Sequence, residues 1–201
     1  VAPPALSYYF AHFSTLHGDK TFLVSGDERL TFAEVYALAQ QTARALVDGC
    51  GVKPGDRVGI AMRNSPSWIA LYMGILMAGG IATLLNGWWQ TAELASAIAD
   101  VDCALVFADA PRAQRLEEAT GLGAQVMAID DRLPLATALA PLFARGGSEA
   151  TVLPMLRGDD DATILFTSGS TGQSKGALSD HRAVTQAVFN YLVSALMMLG
   201  I

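Results

Sequence analysis

The chain has 201 residues, 52% of them apolar, and a formal net charge of −6. That length suits one large domain or two small ones with a sizeable core. The 13 Lys and Arg residues are scattered, with no basic stripe to meet a phosphate backbone, so nucleic-acid binding is not expected.

In chain order, residues 5–16 read as a helix. Phe22–Val24 and Leu30–Phe32 read as a hairpin around Gly26-Asp27. Thr31 followed by Glu34 is a capping-box signature for a helix running to about Asp48. Gly51, Pro54 and Gly55 mark a turn that aims a strand over Arg57–Met62. Trp68–Ala78 reads as a buried helix, Gly79-Gly80 as its stop and Ile81–Leu85 as a short strand, with Asn86-Gly87 as a turn. A helix from Thr91, a strand over Cys103–Phe107, a helix over Arg112–Ala119 and a strand over Gln125–Ile129 follow. A short helix spans Ala136–Ala144. The best candidate for a linker is 146–161. Thr163–Phe166 is predicted to be a strand leading into a Gly/Ser/Thr loop, after which the chain turns through Ala177–Ser179 into a final helix. Short continuous apolar runs separated by helices predict an α/β fold with a largely parallel sheet covered on both faces. Ligands on such sheets sit beyond the carboxyl ends of the strands.

Two cysteines, Cys50 and Cys103, make neither a disulfide framework nor a metal site, and a reducing, cytoplasmic setting is expected. No secretory signal is visible at the start, which opens on Val1. Residues 64–92 carry no charge and 182–201 are almost wholly apolar, so each is long enough to span a bilayer. The Gly79-Gly80 break favours helix and strand over a span in the first. Gln186, Asn190 and the lack of flanking basic anchors weigh against one in the second. No membrane span is expected, while self-association through exposed apolar surface stays open.

The informative segment is Thr167-Ser168-Gly169-Ser170-Thr171-Gly172-Gln173-Ser174-Lys175-Gly176. It holds five hydroxyls, three glycines and one lysine in ten residues. Glycines let successive N–H groups converge on an anion, hydroxyls add donors, and lysine supplies a compact positive charge for a polyphosphate. It is not the common P-loop, because Lys175 precedes a glycine instead of Ser or Thr.

Read from Thr163 to Gly176, this segment resembles the AMP-binding signature of the adenylate-forming superfamily. That superfamily includes acyl- and aryl-CoA synthetases, nonribosomal peptide adenylation domains and firefly luciferase. The His181-Arg182 pair, residues 51–58 with Asn64, and Ala78-Gly79-Gly80 resemble further parts of the pattern in the same order. Leu85-Asn86-Gly87-Trp88-Trp89 with Glu93-Leu94 is similar to fatty acyl-CoA synthetases in particular. Ser174 departs from the family's usual proline.

The resemblance implies the acyl-CoA synthetase-like fold. Residues 1–201 would be the front of its N-terminal adenylation domain, with the rest of that domain and a small C-terminal domain lying beyond. It implies ATP, Mg2+ and coenzyme A as cofactors and a small-molecule carboxylic acid, by preference a fatty acid, as substrate. Thr167, Ser168, Gly169, Ser170, Thr171, Gly172 and Lys175 would hold the nucleotide phosphates, with Lys175 as the catalytic cation. The adenine pocket, the magnesium-binding glutamate, the ribose-binding aspartate and a late lysine would lie past Ile201, so these residues alone are expected not to complete the reaction. Adenylation of another acid for a carrier-protein thiol, or an inactive binding or assembly fragment, are the alternatives.

Other candidates have blander readings. His181 at a helix start reads as structural before it reads as a base. Asp159–Asp161 reads as a solvated, turn-forming flank before a metal site. Trp88 and Trp89 read as packing before an acyl pocket, and Cys103 as a small core residue.

Overall fold

The two periodicities in the sequence sort the chain into layers. In the computed structural model, which describes residues 5–167 and 174–200, the elements follow the predicted alternation. They are α1 (Leu6–His17), β1 (Thr21–Ser25), β2 (Glu28–Thr31), α2 (Phe32–Cys50), β3 (Arg57–Ala61), α3 (Pro66–Met77), β4 (Ile81–Leu84) and α4 (Thr91–Asp100). Then come β5 (Leu105–Asp109), α5 (Ala110–Glu117), β6 (Gln125–Ile129), α6 (Leu135–Phe143), β7 (Asp161–Thr167), β8 (Lys175–Asp180) and α7 (His181–Leu199).

The first hairpin, β1–β2, stands apart from a six-stranded sheet of order β6-β5-β3-β4-β7-β8. Every pairing in that sheet is parallel except the last, β7 with β8. Side chains alternate between its faces. Val58, Ile60, Leu105 and Phe107 point into a core closed by α2, α3 and α6. Ala61, Val106 and Ala108 point into a second core closed by α4 and α5. This two-sided burial is why the strands read as continuous apolar runs.

Local signals set the element ends. The Thr31 hydroxyl accepts from Glu34 N at 3.2 Å while the Glu34 carboxylate accepts from Thr31 N at 2.8 Å, the capping box read from sequence. Ser65 caps α3, and Pro66 occupies the first turn where its missing N–H costs nothing. After α3, Gly79 adopts φ +79°, and Gly79 N and Gly80 N donate to Leu76 O and Ile75 O. This left-handed stop ends the helix and turns the chain into β4, so residues 64–92 are helix, stop and strand, largely buried.

Two expectations need correction. Residues 177–179 do not turn directly into the last helix; Lys175–Asp180 forms β8, antiparallel to β7. The segment KGALSD is mostly exposed, and with no apolar face to bury it shows no strand periodicity. The stretch 146–161 is irregular, as expected, but it is not a loose linker. Gly147 has φ +96° and lies so close to α2 that a Cβ there would sit 2.5 Å from Ala45 N. The Thr151 hydroxyl bonds the Asp48 carboxylate, and Leu156 N donates to the Tyr8 hydroxyl at 3.1 Å.

The last helix is the least covered. Tyr191, Met197, Met198 and Leu199 are exposed, and only His181 and Thr185 are buried along it among the described residues. By length and composition alone α7, 19 residues long, could cross a membrane.

Candidate active site at the carboxyl end of the sheet

β7 runs parallel to β4, so its carboxyl end emerges with those of the parallel strands, where such sheets bind ligands. Thr167 and Lys175 are the last register pair of the β7–β8 hairpin. The Thr167 hydroxyl donates to Lys175 O at 3.4 Å, and both residues are exposed. Of the seven predicted phosphate-loop residues, the structure therefore places Thr167 and Lys175 at the two feet of the loop. Ser168, Gly169, Ser170, Thr171 and Gly172 lie outside the described residues.

Gly176 pairs with Phe166, one step down the stem. A Cβ at Gly176 would lie 3.0 Å from Ile164 Cγ2 and 3.2 Å from Val101 Cγ1. The glycine beside Lys175 thus lets the hairpin close against the end of α4. Toward the amino end of β7, Tyr72 of α3 stacks on Trp68, with ring centroids 5.3 Å apart, and shares a 2.9 Å hydrogen bond with the Thr163 hydroxyl. Burial pushes the Tyr72 phenol up, partly offset by that bond, so it stays neutral.

The structure also brings together residues that the sequence reading passed over. Asp109, 1% exposed, ends β5 and caps α5. Its carboxylate accepts from Arg63 N at 2.9 Å and from the Arg112 guanidinium at 3.0 Å. Arg112 Nε in turn donates to Gly87 O at 2.8 Å, and Arg115 donates to Gly87 O at 3.1 Å and Trp89 O at 2.9 Å. A buried carboxylate thereby anchors Arg112, which together with Arg115 clamps the loop after β4. The legible signal was Asp109-Ala110-Pro111, a cap followed by Pro in the first turn, with basic residues three apart on the helix behind it. Here β3 and β5 send their connections in opposite directions, to β4 and β6, making a topological switch point. An open crevice of about 350 Å³ lies beside it, lined by Arg63, Asp109, Arg112, Gln114, Asp131 and Arg132.

The remaining candidates resolve as follows. Trp89 is packed, its ring edge-on to Phe166 at 5.1 Å and 77°, whereas Trp88 is 84% exposed, contrary to the packing expected for the pair. His181 is buried at the opposite end of β8 from Lys175, and its Nδ1 has no hydrogen-bond partner among the described residues. Burial lowers its pKa, and nearby Asp160 and Asp180 only partly oppose this. Asp160 accepts from Arg157 N at 2.7 Å, a turn within the acidic flank. Cys103 is buried, and burial pushes its thiol up to about 11, which removes it as a nucleophile. Among the described residues, no three His, Cys, Asp or Glu side chains are grouped to hold a metal.

Comparison with known proteins fits this geometry. The AMP-binding enzyme family matches residues 10–198, and the chain belongs to that family. These are adenylate-forming enzymes, whose members act on fatty acids, aryl acids and nonribosomal peptide substrates. Among its relatives, a medium/long-chain-fatty-acid–CoA ligase, FadD6 of Mycobacterium tuberculosis, is 30% identical over 176 residues, which are 86% of this chain and 28% of the relative. The nonribosomal peptide synthetase ecdA of Aspergillus rugulosus is 32% identical over 86% of this chain and 2% of its own length. The inhibitor-bound N-terminal domain of FACL13 from Mycobacterium tuberculosis superposes with a TM-score of 0.77 at 25% identity, covering 89% of this chain and 45% of that one. The chain thus spans less than a third of the FadD6 relative and less than half of the FACL13 structure. The fold is that of the N-terminal domains of acyl-CoA synthetase-like adenylating enzymes.

Proposed function

We propose that this chain is the phosphate-binding front of an enzyme that activates a carboxylic acid, by preference a fatty acid, to an acyl-adenylate and passes the acyl group to coenzyme A. The observation that carries the reading is the Thr167–Lys175 pair at the feet of the signature loop, presented by a hairpin at the carboxyl end of a family-typical sheet. An exposed lysine beside a hydroxyl fits a polyphosphate by charge and donor chemistry. The fatty-acid ligase relative and the segment 85–94 support the choice of acid. The chain's own task in the first step is to hold the β- and γ-phosphates and to offset the charge that grows on departing pyrophosphate. Mg2+ bound with the nucleotide would share that neutralisation, and the described residues offer it no ligand cluster. Nothing in the described residues singles out a coenzyme A contact.

Adenylation of an acid for a carrier-protein thiol is the second reading, favoured by the similarity to a nonribosomal peptide synthetase. Both predict that Lys175→Ala in the full-length protein slows ATP–pyrophosphate exchange by one to three orders of magnitude, about the cost of one lost stabilising group. Unchanged exchange would remove the phosphate role from Lys175. Acyl transfer to free coenzyme A, measured as thioester formation, separates the first reading from the second.

A further inference from the structure

Between the clamp on the β4–α4 loop and the signature stem stands one side chain, Trp89. Its backbone is fixed from both sides: Trp89 N donates to Asn86 O at 3.1 Å, and Trp89 O accepts from Arg115 at 2.9 Å. Asn86 Oδ1 accepts from Trp88 N at 3.0 Å, and Gln90 with Glu93 closes a capping box at the start of α4. The loop therefore has little freedom, and the Trp89 ring leaves it in a set direction. That ring meets Phe166 edge-on at 5.1 Å. Phe166 pairs with Gly176, and the next pair along the stem is Thr167 with Lys175. Among the described residues, the hairpin has few other supports near this end. β8 is the edge strand, Lys175 to Leu178 are exposed, and Leu165 is 51% exposed.

We propose that Trp89 is a positioning residue for the signature stem, carrying the rigidity of the Asp109–Arg112–Arg115 clamp through Phe166 to Thr167 and Lys175. The inference rests on the phosphate-binding reading above. A cation that stabilises charge acts only from a fixed place, and a misplacement of about 1 Å can cost a hundredfold. The role assigned to Trp89 is indirect, through Phe166 and the stem. Its effect falls on the nucleotide because it acts on the feet of the nucleotide loop.

The test is calorimetric titration of the full-length protein with MgATP, with no acid present, at a temperature where circular dichroism shows each variant fully folded. Trp89→Ala is expected to weaken MgATP binding roughly 10- to 100-fold. Trp89→Phe, which keeps an aromatic edge toward Phe166, is expected to restore affinity to within about threefold of wild type. A purely structural role would instead lower the melting temperature of the Ala variant and leave affinity unchanged in the folded protein. That result, with Lys175→Ala still defective, overturns the positioning role and leaves the phosphate site standing. Unaltered binding in Lys175→Ala overturns the phosphate reading itself. If Trp89→Ala does not fold, Phe166→Leu removes the other ring of the pair and is expected to bring the same loss. Wild-type affinity in Phe166→Leu overturns the proposal.

Discussion

The parallel strands β6, β5, β3 and β4 and the β7–β8 hairpin share one sheet but are built on different terms. In β5 every residue is buried, and β3 and β4 are almost as deeply buried. In β8 none is buried, and the helix that follows leaves most of its apolar side chains exposed. The difference separates stability from chemistry. The parallel strands supply the apolar burial that offsets chain entropy. On the phosphate-binding reading proposed above, the end of the hairpin stays open to a ligand, and specific contacts position its stem: Val101 over Gly176 and Trp89 against Phe166, with Tyr72 bonded to Thr163 nearer the base of β7.

Substitutions can break or sharpen this contrast. The largest effect is expected in the parallel region. Phe107, fully buried in β5, should cost about 3–5 kcal/mol when changed to Ala, read as a fall in the urea midpoint at constant m-value. A much smaller loss would mean that this core is less tightly packed than its burial indicates. Next, Thr31→Ala removes the hydroxyl half of the capping box on α2, the long helix that covers the parallel strands. It should cost about 1 kcal/mol in the same measurement.

The third effect lies at the base of the hairpin. Burial depresses the pKa of His181, so the unfolded chain takes up the proton more readily than the folded one. Its contribution to stability is full above the ordinary histidine value of about 6.5 and is lost as pH falls from there toward the depressed folded value. Below that value the loss stays constant. Denaturation midpoints at several pH values should show less acid-side decline in His181→Leu than in wild type. An identical slope would show that His181 is solvated in solution. The smallest effect is expected on the exposed face of α7, where Leu192→Ala should change stability by no more than about 0.5 kcal/mol. A core-sized loss there, with an assembly larger than one chain by light scattering, would mean that this face is covered in solution.

Much of this was legible from residues alone. The capping box at Thr31, the glycine stop after α3 and the apolar runs of β3, β4 and β5 carry their own instructions. Backbone bonding, φ and hydrophobic periodicity are local or nearly local. The family signature was legible for the same reason, because its glycines, hydroxyls and lysine lie within ten consecutive residues. What the sequence could not show depends on distant partners. β8 is a strand because β7 offers it a free edge, not because KGALSD has a strand's pattern. Trp88 and Trp89 are adjacent and chemically alike, yet among the described residues only Trp89 packs on another ring, 77 positions away in the chain at Phe166. Asp109 gained its partners only when β3, β5 and the loop after β4 met around it. Sequence alone thus determined the elements, their order and the chemistry of the loop. Tertiary structure decided which side chains meet beside the β7–β8 stem, because a contact between remote residues is a property of the packed chain and of no single segment.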